Sequence, residues 1–263
     1  MTRLSITPKK SLGQNFLVNP RILDKIVAAA KISKEDVVLE VGPGTGNLTK
    51  KLAEKAGKVI AIEKDRRLIQ ELKNLFRGKK NVEIIEGDIL KILPTTLNTQ
   101  HSKYKIVANI PYYITSRFLR TVFEKWPKPK LIVLTIQKEM AQRITAKPPR
   151  MNLLALSVQF FAEPKIIGYI TKENFRPRPK VDSTIIKLAP KEKLPTDNHE
   201  KFFKIIRAGF SQKRKLLISN LEKLAVNKNK LAEIFKKTEI NPKSRAENLS
   251  IENWIKLTKI LII

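Results

Sequence analysis

Short, nearly all-apolar strands alternate with amphipathic helices through the first two thirds of this 263-residue chain, and that alternation constrains its fold more than any other feature. Asp36 to Val41, Val59 to Ile62, Val82 to Ile85, Ile106 to Ala108 and Leu131 to Ile136 have little polar content on either face. Such strands belong to a parallel sheet covered by helices on both sides. Helical spacing recurs between them, at Ile22, Ile26 and Ala29, at Leu48, Leu52 and Ala56, at Leu68, Leu72, Leu75 and Phe76, and at Phe118, Leu119, Val122 and Phe123. Asn19-Pro20 reads as a helix cap followed by proline at the first helical position, and Thr115-Ser116 as the cap of the fourth helix. Two further strands, Ile166 to Ile170 and Thr184 to Leu188, have no helix of normal length between them and predict an antiparallel edge hairpin. Ala189 to Asn198 has linker composition, and every periodic segment beyond it is helical. The reading is an α/β sheet domain over residues 1–190, with a basic N-terminal arm from Thr2 to Phe16, and a small all-α domain over 198–263.

Charge narrows the class of partner. Lys and Arg number 53 against 24 Asp and Glu, a formal charge of +29. Residues 191–263 carry 17 basic and 8 acidic side chains and residues 1–190 carry 36 and 16, so the excess is not confined to a tail. A field of that sign favours a polyanion through phosphate neutralisation and counterion release, and nucleic acid is the expected partner. The absence of cysteine excludes disulfides and thiolate sites, and two histidines make a metal centre unexpected. The longest apolar run, Leu131 to Ile136, is too short for a bilayer, and the N-terminus lacks the apolar core of a secretion signal. A soluble, cytoplasmic protein without a membrane partner is expected.

Three successive strand ends carry ligand chemistry. Glu40-Val-Gly-Pro-Gly-Thr-Gly46 forms the turn after the first strand, where Gly42 and Gly44 let backbone approach a ligand closely. A dinucleotide fingerprint would need glycine at position 47, which is Asn47, and no phosphate-loop Gly-Lys-Ser/Thr follows. Glu63 follows the second strand, where a carboxylate can accept both hydroxyls of a ribose diol. Asp88, in Glu86-Gly-Asp88, follows the third and can accept from an adenine amine, with Ile89 packed on the ring. The combination looks like an S-adenosyl-L-methionine pocket.

The fourth strand ends in Asn109-Ile-Pro-Tyr112. Methylating an adenine N6 is an in-line displacement in which the difficulty is a lone pair delocalised into the ring. The Asn109 side-chain carbonyl and a main-chain carbonyl at Ile110 or Pro111 could accept both N–H bonds and aim the lone pair at the methyl carbon. Pro111 fixes φ and offers no competing donor, and Tyr112 offers a face for a base removed from its stack. Phe175 precedes the stiff, basic Arg176-Pro-Arg-Pro-Lys180 and either anchors that loop in the core or sandwiches the base against Tyr112, with the basic residues on flanking phosphates. Gln212-Lys-Arg-Lys215 reads as a solvated helix face or a contact to an RNA backbone.

These segments resemble the ribosomal RNA adenine dimethyltransferase family over nearly the whole length. The matching stretches are Gly13 to Leu17, Glu40 to Gly46, Glu63, Glu86 to Asp88, Asn109 to Tyr112, Gln137 to Glu139, Leu156 to Val158, Asn174 to Ser183 and Gln212 to Lys215. The resemblance implies a class I methyltransferase, Rossmann-like in its sheet. Its implied activity is N6,N6-dimethylation of two adjacent adenosines near the 3′ end of small-subunit rRNA, on the assembling small ribosomal subunit, and a monomer is expected. It also implies that Asn15 and Leu17 touch the cofactor, Gly42 lies by its methionine part, Glu63 binds ribose, Asp88 binds adenine and Asn109 lies between cofactor and base. It tips Phe175 toward base contact. Pro149-Arg-Met-Asn-Leu-Leu-Ala155 departs from the Tyr-Gly-Arg element usual in the family.

Overall fold

The computed structural model describes residues 7–92, 104–224 and 227–261. The first five residues of the expected basic arm, 2–6, lie outside them. The chain divides into two compact units, Met1–Ala141 with Pro164–Pro190, and Gln142–Glu163 with Lys191–Ile263.

In the first unit, strands β2 (Val37–Val41), β3 (Lys58–Glu63), β4 (Val82–Glu86), β5 (Lys105–Asn109) and β6 (Leu131–Gln137) are parallel neighbours. With β7 (Ala162–Ile170) and β9 (Ser183–Pro190) the sheet order is β4-β3-β2-β5-β6-β9-β7. β9 inserts between β6 and β7 and runs antiparallel to β6, so the expected late pair of strands exists with β7 outermost. One face buries Val38, Val59, Val107 and Val133 against Leu23, Ile26 and Val27 of α1 (Pro20–Ala30) and Leu48 and Leu52 of α2 (Asn47–Lys55). The alternate residues Leu39, Ile60, Ile106 and Ile132 are equally buried, as a sheet covered on both sides requires. Asn19 caps α1 by accepting from the Arg21 amide. Thr115 is the first residue of α4 (Thr115–Lys125) rather than its cap, because a 3-10 turn over Tyr112–Ile114 runs straight into the helix.

The N-terminal segment holds an element with no local signal. β1 (Phe16–Leu17) pairs antiparallel with β8 (Phe175–Arg176), setting Phe16 opposite Arg176 and Leu17 opposite Phe175. Leu17 and Phe175 then turn into the core beside Leu23 and Ile170.

The helical unit is larger than the C-terminal segment read from the sequence. α6 (Leu153–Phe161) packs Ala155, Leu156 and Phe160 against α7 (His199–Gly209), α8 (Leu217–Leu221), α9 (Lys228–Lys237) and α10 (Ile251–Ile260) in one core that includes Phe202, Phe235 and Trp254. The boundary expected at 190/198 therefore misassigns residues 142–163, of which Met151, Ala155, Leu156 and Phe160 share one core with residues 202–261. The divergent Pro149–Ala155 segment lies here. Its Asn152 caps α6 by accepting from the Ala155 amide and donates to the Arg143 carbonyl. Gln212–Lys215 is an exposed turn between α7 and α8, not a helix face, held by the buried Asn220 amide on the Gly209 and Gln212 carbonyls.

Candidate active site

The sheet's strand order reverses beside β2, whose neighbours are β3 and β5, and a ligand crevice is expected at the carboxyl ends there. A cavity of about 250 Å³ opens at that place. Of the residues singled out in the sequence, Asn15, Gly42, Gly44, Glu63, Asp88, Asn109, Pro111 and Tyr112 line it.

Gly44 carries a left-handed φ of +57°, and a Cβ there would lie 2.7 Å from the Phe16 ring. No larger residue fits without displacing Phe16, which packs against Leu68, Leu72 and Phe76. The Gly44 amide donates to Glu63 Oε2 at 3.1 Å, and the Lys64 and Asp65 amides donate to Oε1 at 2.9 and 2.8 Å. Of about four acceptor directions on a carboxylate, three are occupied and one stays open on Oε2. Burial raises the Glu63 carboxyl above its ordinary range, and the three amides pull it back part of the way. Asp88 accepts from Lys64 Nζ at 3.0 Å and from the Leu90 amide at 3.1 Å. Burial pushes its carboxyl up, but the Lys64 ammonium and the Leu90 amide outweigh that and hold it below the usual value.

Asn109 Nδ2 donates to the Asn15 main-chain oxygen at 3.0 Å, and among the described residues Oδ1 is left as the free acceptor of that side chain. The Pro111 carbonyl accepts from the Ile114 amide at 3.2 Å. Tyr112 is half-buried, and its hydroxyl lies 2.7 Å from Ser183 Oγ. The chain before β1 closes one side of the cleft. Gln14 Nε2 donates to Asp65 Oδ2 at 2.8 Å, and Asp65 is drawn down to about 2, chiefly by Arg67.

Two expected site residues are elsewhere. Phe175 is fully buried in the core and does not line the cavity, because the β1–β8 pairing turns it inward while the next residue, Arg176, is exposed. The core-anchor alternative is the one this structure has: Phe175 presents no exposed face with which to sandwich a base against Tyr112. Leu17 is 4% exposed and packs in the same core; its carbonyl accepts from Asn47 Nδ2. Conversely, Phe16, Lys64 and Tyr113 line the cavity without having been singled out. Tyr113, 60% exposed and packed on Gly13, was legible only as the second half of a Tyr-Tyr doublet.

Glu40 sits behind the glycine turn, 1% exposed, with Oε2 lacking a hydrogen-bond partner among the described residues. Burial raises its carboxyl from 4.5 to about 8; the Thr49 hydroxyl lowers it and the Glu63 charge adds to the rise. A raised folded pKa means the native state keeps a proton that the unfolded chain has lost, so this stability is whole below about 4.5 and is lost as pH climbs through 8. Melting temperature is expected to fall between pH 5 and 8.5 more steeply in the parent than in Glu40→Gln. Parallel curves would contradict this.

Four parallel strands ending on one glycine-walled cleft, with acids on two tips and an amide on a third, define an S-adenosyl-L-methionine-dependent class I methyltransferase. A family profile described as ribosomal RNA adenine dimethylase matches residues 6–262. Ribosomal RNA small subunit methyltransferase A of Dehalococcoides mccartyi (strain CBDB1) is 42% identical over 260 residues, covering 98% of this chain and 89% of its own length. The protein of that name in Clostridioides difficile (strain 630) is 40% identical over 260 residues, covering 96% and 90%. A dimethyladenosine transferase from Plasmodium falciparum superposes with a TM-score of 0.79 at 34% identity, over 92% of this chain and 95% of that one. The 23S rRNA methyltransferase ErmE reaches the same TM-score at 24% identity, a likeness of fold. The chain belongs to the ribosomal RNA adenine dimethylase family.

Proposed function

We propose that this enzyme dimethylates N6 of two adjacent adenosines near the 3′ end of small-subunit ribosomal RNA, acting as a cytoplasmic monomer on the assembling small subunit. The observation that carries the reading is that Asn109 and Tyr112 share one cleft with Gly42, Gly44, Glu63 and Asp88. Among the described residues no helix is long and apolar enough to cross a membrane.

Bound S-adenosyl-L-methionine supplies a methyl group activated by its sulfonium. Gly42, where an added Cβ would meet nothing closer than Pro111 at 3.9 Å, gives its methionine part room against the backbone, and Gly44 holds the turn through its amide hydrogen bond to Glu63. Glu63 Oε2 has one acceptor direction left for a ribose hydroxyl, so one of its three amides must give way if it is to take both. Asp88 is held ionised to accept from the adenine amine, and the buried Ile89 lies on the same wall. At the other end Asn109 Oδ1 accepts one N–H of the target amine. The Ile114 amide already engages the Pro111 carbonyl, which favours Ile110 for the second. Both carbonyls stabilise the positive charge that nitrogen carries until it sheds its proton. Tyr112 supplies the face on which the base rests. Arg176, Arg178, Lys180 and the Lys213–Lys215 turn are exposed and suit phosphate contacts.

The deciding assay offers purified small and large ribosomal particles with labelled cofactor. Methylation of the small-particle RNA supports the proposal, and labelling confined to the large-particle RNA refutes it. RNA affinity is further expected to fall steeply with salt, with a log–log slope steeper than about −3, because each neutralised phosphate contributes roughly 0.7–0.9. A flat plot would remove the electrostatic part of the reading.

A further inference from the structure

One hydrogen bond at the cleft has no part in the chemistry above. The hydroxyl oxygens of Tyr112 and Ser183 lie 2.7 Å apart across 71 residues of sequence. Ser183 is completely buried, at the first position of β9 opposite Gln137 of β6. Its predecessor Asp182 accepts from the Lys138 amide through its carbonyl and from the Lys172 amide through its carboxylate, at 3.0 and 3.1 Å. The sheet therefore sets where the serine hydroxyl stands. Tyr112 is in the opposite condition, half-buried on a single 3-10 turn with its ring on the cavity wall. Two side-chain torsions aim that ring, and a bond to its far end restrains both.

We propose that Ser183 is a positioning residue, whose hydroxyl tethers the Tyr112 phenol and holds the ring where the entering base meets it. The inference rests on the reading that Tyr112 receives the target base. A ring free to swing leaves the amine outside attack geometry for more of the time, which lowers turnover and leaves the far end of the cleft untouched.

The test compares Ser183→Ala, Tyr112→Phe, the double variant and Tyr112→Leu on small-subunit particles, with cofactor affinity measured calorimetrically. Each of the first two removes the same bond and lowers kcat about 5–10-fold, the double variant loses no more than either single, and cofactor affinity stays within twofold. Full kcat in Ser183→Ala, losses that multiply in the double variant, or a cofactor defect as large as the kcat defect overturns the tether. If Ser183→Ala is unfolded at assay temperature, Tyr112→Phe decides alone, a 5–10-fold loss supporting the tether and parental turnover overturning it. Tyr112→Leu separates the two readings. Parental activity in it refutes base stacking on Tyr112, whereas an inactive Tyr112→Leu beside a fully active Ser183→Ala and Tyr112→Phe refutes only the tether.

Discussion

Asn109→Ala methylates roughly 10²–10³ times more slowly than the parent while binding RNA and cofactor within a few-fold, the loss expected when one preorganised partner of a developing charge is removed. The asymmetry follows from what Oδ1 does. In the ground state it replaces a water on a neutral amine, and only as the nitrogen becomes cationic does its dipole matter fully, so binding is spared and turnover is not. The Nδ2 bond to the Asn15 carbonyl holds the carboxamide in one orientation, so an Asn109→Asp enzyme, which has no donor for that carbonyl, recovers little. Single-turnover rates with saturating RNA make the measurement, since slow product release cannot disguise them. Turnover within threefold of the parent would take Asn109 out of the chemistry.

A second large effect is expected at the opposite end of the same strand. Lys105 and Asp36 are each about 5% exposed in their side chains and form an ion pair of 2.8 Å. Lys105 Nζ also donates to the Lys31 carbonyl at 2.6 Å, tying the end of α1 to the start of β5. Removing one member of a buried pair strands the other, typically at a cost of about 3–5 kcal/mol. Lys105→Met should therefore melt on the order of 10 °C lower, taking about 2–4 °C per kcal/mol for a chain of this size. Asp36→Asn combined with Lys105→Met should recover much of the loss, because no isolated charge is left buried. The pair lies at the strand ends away from the cleft, so cofactor affinity below the melting range should not change. A Lys105→Met protein as stable as the parent would show that water or a shifted loop satisfies Asp36.

Much of the architecture was legible because the signals were local. A strand such as Val59-Ile-Ala-Ile62 has no polar face, so it names its burial, and Glu63 follows it by one residue, so it names its strand end. The same held for Asp88 and Asn109. Leu17 and Phe175 could not be placed in this way. Their two-residue ladder is specified by a partner some 160 positions distant, and an aromatic ahead of a basic proline run satisfies core and surface equally well until that partner is known. The α6 segment, Leu153-Leu-Ala-Leu-Ser-Val-Gln-Phe-Phe161, declares itself apolar on nearly every side but not what covers it. Its dependence on α7 and α10 is tertiary information, and the domain boundary drawn from composition failed there for that reason.

That dependence has a consequence during synthesis. Ala155, Leu156 and Phe160 leave the translating machinery before Phe202, and well before Trp254, Leu257 and Leu261, which complete their core. At about 5–20 residues per second, the helix waits for seconds with its greasy surface uncovered. A nascent chain of this protein is therefore expected to offer holdase chaperones a defined target, which is covered only once Trp254, Leu257 and Leu261 have emerged.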